Sequence, residues 1–265
     1  MRCAVLGSPI AHSLSPAMHR AAYVKLGLDW TYEAIELSED DLELFLKSLG
    51  DDVRGLSVTA PLKRRLVELV ELADDPILRV ANTVIVDDGN LQAYNTDVPG
   101  AVAALGERGI ASVKTARILG GGATASSVAY ALSTIGAQHL EIVVRDPSRA
   151  GDAVDVAEAS GLSVAVHTID EPLLDKVDLL VSTVPGDVIG SRSHELVEAS
   201  RAVFDVVYDP WPTPLMTAAK EAELPSVNGL DLLAHQAALQ VALMTGETVS
   251  PQLLRDAALG ELGAR

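Results

Sequence analysis

The chain has few cysteines, few aromatic residues and few basic residues. Its single cysteine, Cys3, excludes an internal disulfide and favours a reducing compartment. Two Trp, two Phe and five Tyr among 265 residues leave Ala, Val and Leu to fill the interior. Lys and Arg number 20 against 37 Asp and Glu, and the resulting net charge of −17 repels phosphate backbones and anionic lipid. We therefore expect neither a nucleic-acid partner nor a membrane partner.

Long apolar runs are also absent. No run approaches the roughly 20 residues that a membrane helix needs. The apolar stretch at residues 3–6 is too short for a signal peptide, and it is better interpreted as a first strand. We expect a cytoplasmic protein whose partner is a small molecule, we expect no metal, and we leave a homodimer open.

Helix and strand signals alternate along the first part of the chain. Ser15 is expected to cap the first helix, with Pro16 in its first turn. Ser38 is expected to cap a second helix, and Pro61 to begin a third. Asp88-Gly89 predicts a hairpin between two short strands. Strands are expected at residues 3–6, 30–35, 56–58, 83–86 and 91–94.

The pattern changes near Asp97. A helix over 98–105 is followed by a strand–helix–strand unit over 115–144, whose length is typical of half a dinucleotide-binding fold. After Asn228-Gly229 the chain is predicted to be helical, and this tail is expected to pack back on the first domain. Further strands are expected at residues 162–166, 179–182 and 202–207.

We therefore predict the α/β class with two domains. The first, residues 1–97, is expected to be an α/β domain with a mixed sheet. The second, residues 98–230, is expected to be a Rossmann-type, doubly wound parallel sheet. Residues 231–265 are expected to form C-terminal helices.

A glycine turn follows the strand at 116–119. Gly120-Gly121-Gly122-Ala123-Thr124-Ala125 matches the pattern G-x-G-x-x-A. Gly120 permits a tight turn, Gly122 lets backbone N–H groups approach a pyrophosphate, and the small Ala125 lets helix and strand pack closely. A plain strand–helix turn explains the motif alone, but the flanking strand, helix and second strand favour dinucleotide binding.

The end of the second strand in this unit bears on the choice of cofactor. An acidic residue there accepts from the ribose 2′-OH of NAD, whereas arginine favours the 2′-phosphate of NADP. Arg145 and Asp146 offer both, and Arg149 lies one turn further on. A surface Arg–Asp pair at a helix start explains the same residues. We favour NADP.

Polar residues follow several strands of the first domain. Ser13 and Ser15 lie before a helix start, where hydroxyls suit a carboxylate, although Ser15 as a cap is the simpler interpretation. Lys63 lies near the first turn of a helix, where the dipole disfavours a cation, so solvent or a partner carboxylate must compensate. Asn82-Thr83 and Asn95-Thr96-Asp97 are equally explained as turn or capping residues.

Six motifs in this order resemble the shikimate dehydrogenase family along nearly the whole chain. They stand at residues 7–16, 58–63, 81–83, 95–100, 205–210 and 228–237. The resemblance implies a two-domain enzyme of aromatic amino-acid and chorismate biosynthesis, which reversibly reduces 3-dehydroshikimate to shikimate with NADPH.

The resemblance also implies residue roles. Lys63 and Asp97 would be the catalytic acid–base pair. The substrate would be held by Ser13, Ser15, Thr59, Asn82, Tyr208 and Gln236. The cofactor would be held by Gly120, Gly121, Gly122, Ala123, Thr124, Ala125, Arg145, Asp146, Arg149, Thr183 and Gly229.

Two departures from the family pattern keep alternatives open. Ser57 stands where the family usually has Asn, and Val144-Arg145-Asp146 stands where it usually has Asn-Arg-Thr. Asp146 keeps open an NAD-dependent enzyme acting on quinate as well as shikimate. A non-catalytic dinucleotide-sensing protein predicts loss of Lys63 or Asp97, and both are present. A methylene-tetrahydrofolate dehydrogenase-like enzyme would not explain the paired serines.

Overall fold

The computed structural model describes residues 1–172 and 175–264, and these divide into two compact units. Unit 1 consists of Met1–Gly100 with Leu233–Arg265, and unit 2 consists of Ala101–Leu232. The chain passes from one unit to the other twice, each time inside a helix.

Unit 1 contains a five-stranded mixed sheet with the strand order β2-β1-β3-β4-β5. The strands are β1 (Arg2–Gly7), β2 (Thr31–Glu36), β3 (Val53–Val58), β4 (Thr83–Asp87) and β5 (Asn90–Tyr94). β1 runs parallel to β2 and β3, whereas β4 is antiparallel to both β3 and β5. Asp88 and Gly89 form the β4–β5 turn with φ of 48° and 77°, as a two-residue hairpin requires. The predicted mixed sheet is confirmed.

Three helices lie along the first part of unit 1: α1 (Ser15–Leu26), α2 (Glu39–Lys47) and α3 (Lys63–Leu69). The expectation that Ser15 caps α1 is wrong, because Leu14 is the N-cap and Ser15 is already helical. The Ser15 N–H donates instead to Ser13 Oγ over 3.3 Å. Pro61 does not begin α3: a hydrogen bond from Leu62 N to Thr59 O closes a turn there, and the helix starts at Lys63.

The chain enters unit 2 through α4 (Asp97–Glu107). The Val98 N–H, in the first turn of this helix, donates to Asn95 Oδ1 over 3.1 Å. Asn95 therefore provides the side-chain cap that the sequence also allowed for Asp97. As a consequence, the Asp97 carboxylate is available for other contacts.

Unit 2 contains a six-stranded parallel sheet with the strand order β11-β10-β9-β6-β7-β8. Its strands are β6 (Thr115–Leu119), β7 (His139–Val144), β8 (Ser163–Thr168), β9 (Leu179–Ser182), β10 (Val203–Asp205) and β11 (Ser226–Asn228). Strand order reverses direction at β6, as in a doubly wound dinucleotide-binding sheet, so the predicted Rossmann-type sheet is confirmed. β11 was not expected, because it has only three residues.

In the described part of unit 2, five α-helices connect these strands: α5 (Ala123–Thr134), α6 (Gly151–Ala159), α7 (Gly186–Ile189), α8 (Ser193–Glu198) and α9 (Pro214–Glu221). Small side chains let them approach the sheet closely. Ala125, Ala129 and Leu132 of α5 are fully buried, as are Ala153 and Ala157 of α6. The interior of unit 2 is thus built mainly from alanine, valine and leucine, as the scarcity of aromatic residues requires.

The chain returns to unit 1 through α10 (Gly229–Thr245), and α11 (Pro251–Gly263) follows. α11 packs against α1, and α10 contributes buried Val241 and Met244 to the same unit. Within the described ranges, no helix is long and apolar enough to cross a bilayer.

Candidate active site

A buried ion pair joins two helix starts in unit 1. Lys63 is the first residue of α3, Asp97 is the first residue of α4, and Lys63 Nζ donates to Asp97 Oδ2 over 2.6 Å. The two side chains are only 11% and 8% exposed. The partner carboxylate offsets the unfavourable position of a cation at a helix N-terminus. The structure thus gives Lys63 a partner, rather than leaving it in a solvated basic run.

Asn82, just before β4, holds the other carboxylate oxygen of Asp97. Its Nδ2 donates to Asp97 Oδ1 over 2.8 Å and to Thr96 Oγ1 over 2.9 Å. Its Oδ1 accepts from the Thr96 N–H over 2.8 Å. Both oxygens of Asp97 are therefore held by side chains that are themselves buried, and such groups have little freedom to reorient.

Gln236 of α10 completes this cluster. Its Oε1 lies 3.2 Å from Asn82 Nδ2 and 3.4 Å from Thr96 Oγ1. The close approach depends on Gly100, because a Cβ there would lie 3.0 Å from the Gln236 backbone nitrogen. The structure therefore brings four sequence-predicted residues, Lys63, Asn82, Asp97 and Gln236, into one hydrogen-bonded group.

The predicted hydroxyl residues follow β1 and β3, which are adjacent parallel strands, so their carboxyl ends meet at one edge of the sheet. Ser15 is buried, and Thr59 is half-buried. Thr59 packs so closely on Gly7 that a Cβ at Gly7 would lie 2.4 Å from Thr59 Cγ2. Ser13 follows β1 in sequence and, as described, its hydroxyl accepts from the Ser15 amide.

A second hydrogen-bonded set lies behind this group, and the sequence did not reveal it. Gln240 bonds to Asn82, Thr83 and Ser57, and His19 lies beside it. Burial lowers the pKa of His19 to about 4, so the imidazole is neutral at pH 7. One signal could have pointed to Gln240: it lies four residues after Gln236, and therefore on the same face of α10.

The glycine turn of unit 2 has three different steric environments. Gly120 has φ of 110°, and a Cβ there would lie 2.3 Å from Thr183 Oγ1. A Cβ at Gly121 would lie 2.6 Å from the Arg149 carbonyl oxygen. A Cβ at Gly122 would meet nothing within 4 Å. Packing therefore demands the first two glycines, whereas the third leaves open space next to the backbone.

This open space lies at the N-terminus of α5, a helix of 12 residues, where Gly122 is the N-cap and supplies no side-chain cap. The next residues, Ala123 and Thr124, begin the helix, and Ala125 is buried against the sheet. A helix N-terminus whose N-cap has no side chain, with open space next to its backbone, fits a diphosphate group. The residues present thus fit a dinucleotide.

At the end of β7 the acidic residue has a structural role. Asp146 Oδ1 accepts from the Ser148 N–H and hydroxyl over 3.0 and 2.8 Å, which caps the short 3₁₀ helix Pro147–Ala150. These bonds lower the pKa of Asp146. Arg145 and Arg149 are exposed beside it. The arrangement offers cationic groups at this strand end, while the carboxylate is engaged locally.

The remaining predicted residues of unit 2 follow β9, β10 and β11. The Thr183 hydroxyl donates to the Leu119 carbonyl oxygen over 2.9 Å. Gly229 comes directly after β11 and packs closely against the backbone, since a Cβ there would lie 2.5 Å from the Val206 carbonyl oxygen. Tyr208 lies in the segment between β10 and α9 and is half-buried.

That segment is anchored by a buried carboxyl group. Asp205 Oδ2 accepts from the Thr213 hydroxyl over 2.6 Å, and Oδ1 accepts from the Val207 N–H over 3.2 Å. Burial raises the pKa of Asp205 to about 6. Among the described residues, no group of three or more His, Cys, Asp or Glu side chains could hold a metal ion.

Comparisons with known proteins agree with this architecture. Residues 5–84 match the family model described as the shikimate dehydrogenase substrate binding domain. The chain is 37% identical to shikimate dehydrogenase (NADP(+)) of Thermus thermophilus, with 99% of each sequence covered. It is 34% identical to that of Methanopyrus kandleri, with 97% of this chain and 94% of the relative covered.

Crystal structures give the same result. That of Mycobacterium tuberculosis shikimate dehydrogenase matches with a TM-score of 0.88 at 34% identity, covering 98% of this chain and 99% of that one. Shikimate 5-dehydrogenase from Thermus thermophilus, in complex with NADP(H) and shikimate, matches with a TM-score of 0.83 at 34% identity and the same coverage.

Proposed function

Because the chain belongs to the shikimate dehydrogenase family, we propose that it catalyses the reversible reduction of 3-dehydroshikimate to shikimate with NADPH. This is the NADP-dependent oxidoreductase reaction for which its relatives are named. One observation within this chain supports the same chemistry directly: a buried lysine and a buried carboxylate, 2.6 Å apart, at the edge of a sheet lined with hydroxyl and amide groups.

We assign the two parts of the reaction to the two units. Unit 1, which contains the residues matched by the substrate-binding family model, would be the substrate-binding and catalytic domain, together with the C-terminal helices. Unit 2, with its doubly wound sheet and glycine turn, would be the dinucleotide-binding domain.

Proton transfer is the task of Lys63. Reduction of the carbonyl requires a hydride at carbon, which the nicotinamide of a bound NADPH would supply, and a proton at oxygen. The Lys63 ammonium is the donor for this proton, and the amine takes it back in the direction of oxidation. Asp97 holds Lys63 Nζ in one position and, through Asn82, is itself held in place. A positioned acid of this kind needs no further reorganisation when the reaction occurs.

Neutral donors are proposed to hold the substrate. Ser13 and Ser15 lie between the end of β1 and the first turn of α1, and Thr59 follows β3, so their hydroxyls suit a carboxylate or a ring hydroxyl. Asn82 and Gln236 offer amides on the Lys63 side, and Tyr208 is proposed as a further substrate residue. A chain of net charge −17 can bind an anion in this way, because preorganised neutral dipoles suffice when water is excluded.

For the cofactor, we propose that the turn Gly120 to Ala125, together with Thr183 and Gly229, holds the diphosphate. Arg145 and Arg149 would bind the 2′-phosphate, which distinguishes NADP from NAD. The engagement of Asp146 with Ser148 supports this preference. The NAD-dependent quinate enzyme and the non-catalytic sensing protein are not favoured.

The cellular setting is part of the same proposal. A single buried cysteine, Cys3, is consistent with the cytoplasm. The strongly acidic composition supports a small-molecule substrate over a nucleic-acid partner. A homodimer stays a prediction, which light scattering on the purified protein tests.

Steady-state oxidation of shikimate and of quinate, each with NADP and with NAD, tests the activity. We expect strong turnover only with shikimate and NADP. Lys63→Met should then lower kcat by about 10²–10⁴-fold, the range for loss of a positioned acid–base group. Arg65→Met is the matched control: it removes a cation two residues away that pairs with Glu43 and Glu68 on the surface.

Each outcome has a definite meaning. Comparable turnover with NAD or quinate would contradict the assigned specificity, and absence of turnover in all four combinations would contradict the activity. If Lys63→Met changed only KM, Lys63 would bind the substrate without transferring a proton. Equal losses in the lysine variant and the arginine control would show a general charge effect.

A further inference from the structure

Gln240 of α10 is buried, being only 1% exposed, and its amide contacts four groups. Its Nε2 donates to Thr83 Oγ1 over 2.9 Å and to the backbone carbonyl oxygen of Asn82 over 3.1 Å. Its Oε1 accepts from Ser57 Oγ over 2.8 Å and lies 3.3 Å from His19 Nε2. A primary amide has two hydrogens and two acceptor positions, so this environment satisfies Gln240 fully.

The hydrogen bonds around Gln240 run in one direction. Thr83 has one hydroxyl hydrogen and uses it on Asn82 Oδ1 over 3.0 Å, so it must accept from Gln240. Asn82 Oδ1 thereby faces donors on this side, and Nδ2 is left to face Asp97. The path leads from Gln240 through Thr83 and Asn82 to the carboxylate that holds Lys63.

The starting end of this path is rigid. Tyr32 is completely buried, its hydroxyl donates to Ser57 Oγ over 2.6 Å, and Ser57 donates onward to Gln240. The Tyr32 ring stacks on His19 with centroids 4.1 Å apart and an interplanar angle of 16°. A buried chain of donors that point the same way strengthens each of its bonds and penalises any reversal.

Building on the proposed function, we propose that Gln240 is a positioning residue for the catalytic pair. It does not touch Lys63 or Asp97. By donating to Thr83 and to the Asn82 backbone carbonyl, it acts together with the Thr96 N–H to fix which end of the Asn82 amide faces Asp97. If the Asn82 amide turned over, its oxygen would face the Asp97 carboxylate, and the position of Lys63 would lose its support. Small misplacements of catalytic groups cost about 10²-fold in rate.

Three variants test this assignment kinetically: Gln240→Met, which keeps length and burial, Thr83→Val, which keeps shape without the hydroxyl, and the double variant. We expect each single change to lower kcat by about tenfold or more, with KM for NADP changed less than twofold. Because both act on one path, the double variant should be no slower than about the slower single variant.

Met244→Ala is the matched structural control, since Met244 lies one turn further along α10 and is equally buried. It should lower the melting temperature and leave kcat within twofold. If Gln240→Met instead behaved like this control, or if the losses of Gln240→Met and Thr83→Val multiplied, the assignment would be overturned. Thr83→Val decides the question alone should Gln240→Met not fold.

A readout independent of turnover separates this inference from the proposed function. The side-chain amide signal of Asn82 in a ¹⁵N–¹H spectrum, identified by its loss in Asn82→Asp, should move in Gln240→Met and Thr83→Val but stay in place in Met244→Ala. An inactive wild type with this pattern would refute the proposed activity alone. An unmoved signal in both network variants would refute the positioning role alone.

Discussion

His19 should make the stability of unit 1 depend on pH. It is completely buried between Tyr23 and Tyr32, and its pKa in the folded chain is lowered to about 4 from the ordinary 6.5. Between these two values the unfolded chain binds a proton that the folded chain does not. The stability associated with neutral His19 is therefore complete above pH 6.5 and is lost progressively as the pH falls toward 4.

The size of this effect follows from the pKa difference. One pKa unit corresponds to about 1.36 kcal/mol, and pH 5 lies about 1.5 units below the unfolded value, so the loss between pH 7 and pH 5 is about 2 kcal/mol. His19→Phe removes the titration but keeps a flat ring for stacking on Tyr32. The variant loses the 3.3 Å contact to Gln240, whose Oε1 retains Ser57 as a donor.

Urea unfolding followed by circular dichroism at pH 7 and pH 5 measures this difference. Both conditions lie above the sequence pI of about 4.6. We expect the wild type to lose about 2 kcal/mol more than His19→Phe between the two pH values. Equal losses in the two proteins would refute the reasoning, because His19 would then have an ordinary pKa or lie open to water in the folded state.

Three further predictions concern unit 2. Asp205→Asn tests a pH effect of the opposite sign, because burial raises the folded pKa of Asp205 to about 6. As the pH falls from 7 to 5, the free energy of unfolding of the wild type should rise by about 1 kcal/mol relative to that of the variant in the same urea assay. No such rise would contradict the burial of Asp205. Arg145→Ala should raise KM for NADP about tenfold or more and leave that for NAD nearly unchanged, as steady-state kinetics would show, because a charge-assisted bond is worth about 1.5–3 kcal/mol. Gly121→Ala should lower the free energy of unfolding by about 1–3 kcal/mol, because the added Cβ would meet the Arg149 carbonyl oxygen. Gly122→Ala, whose Cβ meets nothing, should keep the melting temperature but weaken NADP binding, as measured by fluorescence titration. The reverse pattern would contradict the proposed diphosphate site.

Local patterns predicted most of the strands and the fold class. The hairpin at Asp88-Gly89 and the strand–turn–helix at Gly120 to Gly122 have chemistry that acts within a few residues, so the sequence reveals them. The sequence predicted helix starts less accurately. Ser13, Ser15, Asn95 and Asp97 are all competent caps, and which of them accepts a helix amide depends on contacts beyond the local sequence.

The candidate site divides in the same way. Motif order indicated Lys63, Asp97, Asn82 and Gln236, and the structure brings these four together. Gln240 was not predicted as a site residue, because the sequence does not identify the hydrogen-bond partners of a polar residue in an apolar helix. Its hydrogen-bond partners Thr83, Asn82 and Ser57 lie 157 to 183 positions away in the sequence, so no local pattern contains these bonds.

By itself, the sequence determined the class of fold, the phosphate-binding turn and the identity of the chemical groups available, because composition, periodicity and glycine spacing act over short stretches of chain. Only the tertiary structure decided that Lys63 meets Asp97 across 34 residues, that Asn95 and not Asp97 caps α4, and that Asp146 is engaged by Ser148. The physical reason is that a buried polar group must find its partner wherever the packed chain places one, and only the folded chain determines that place.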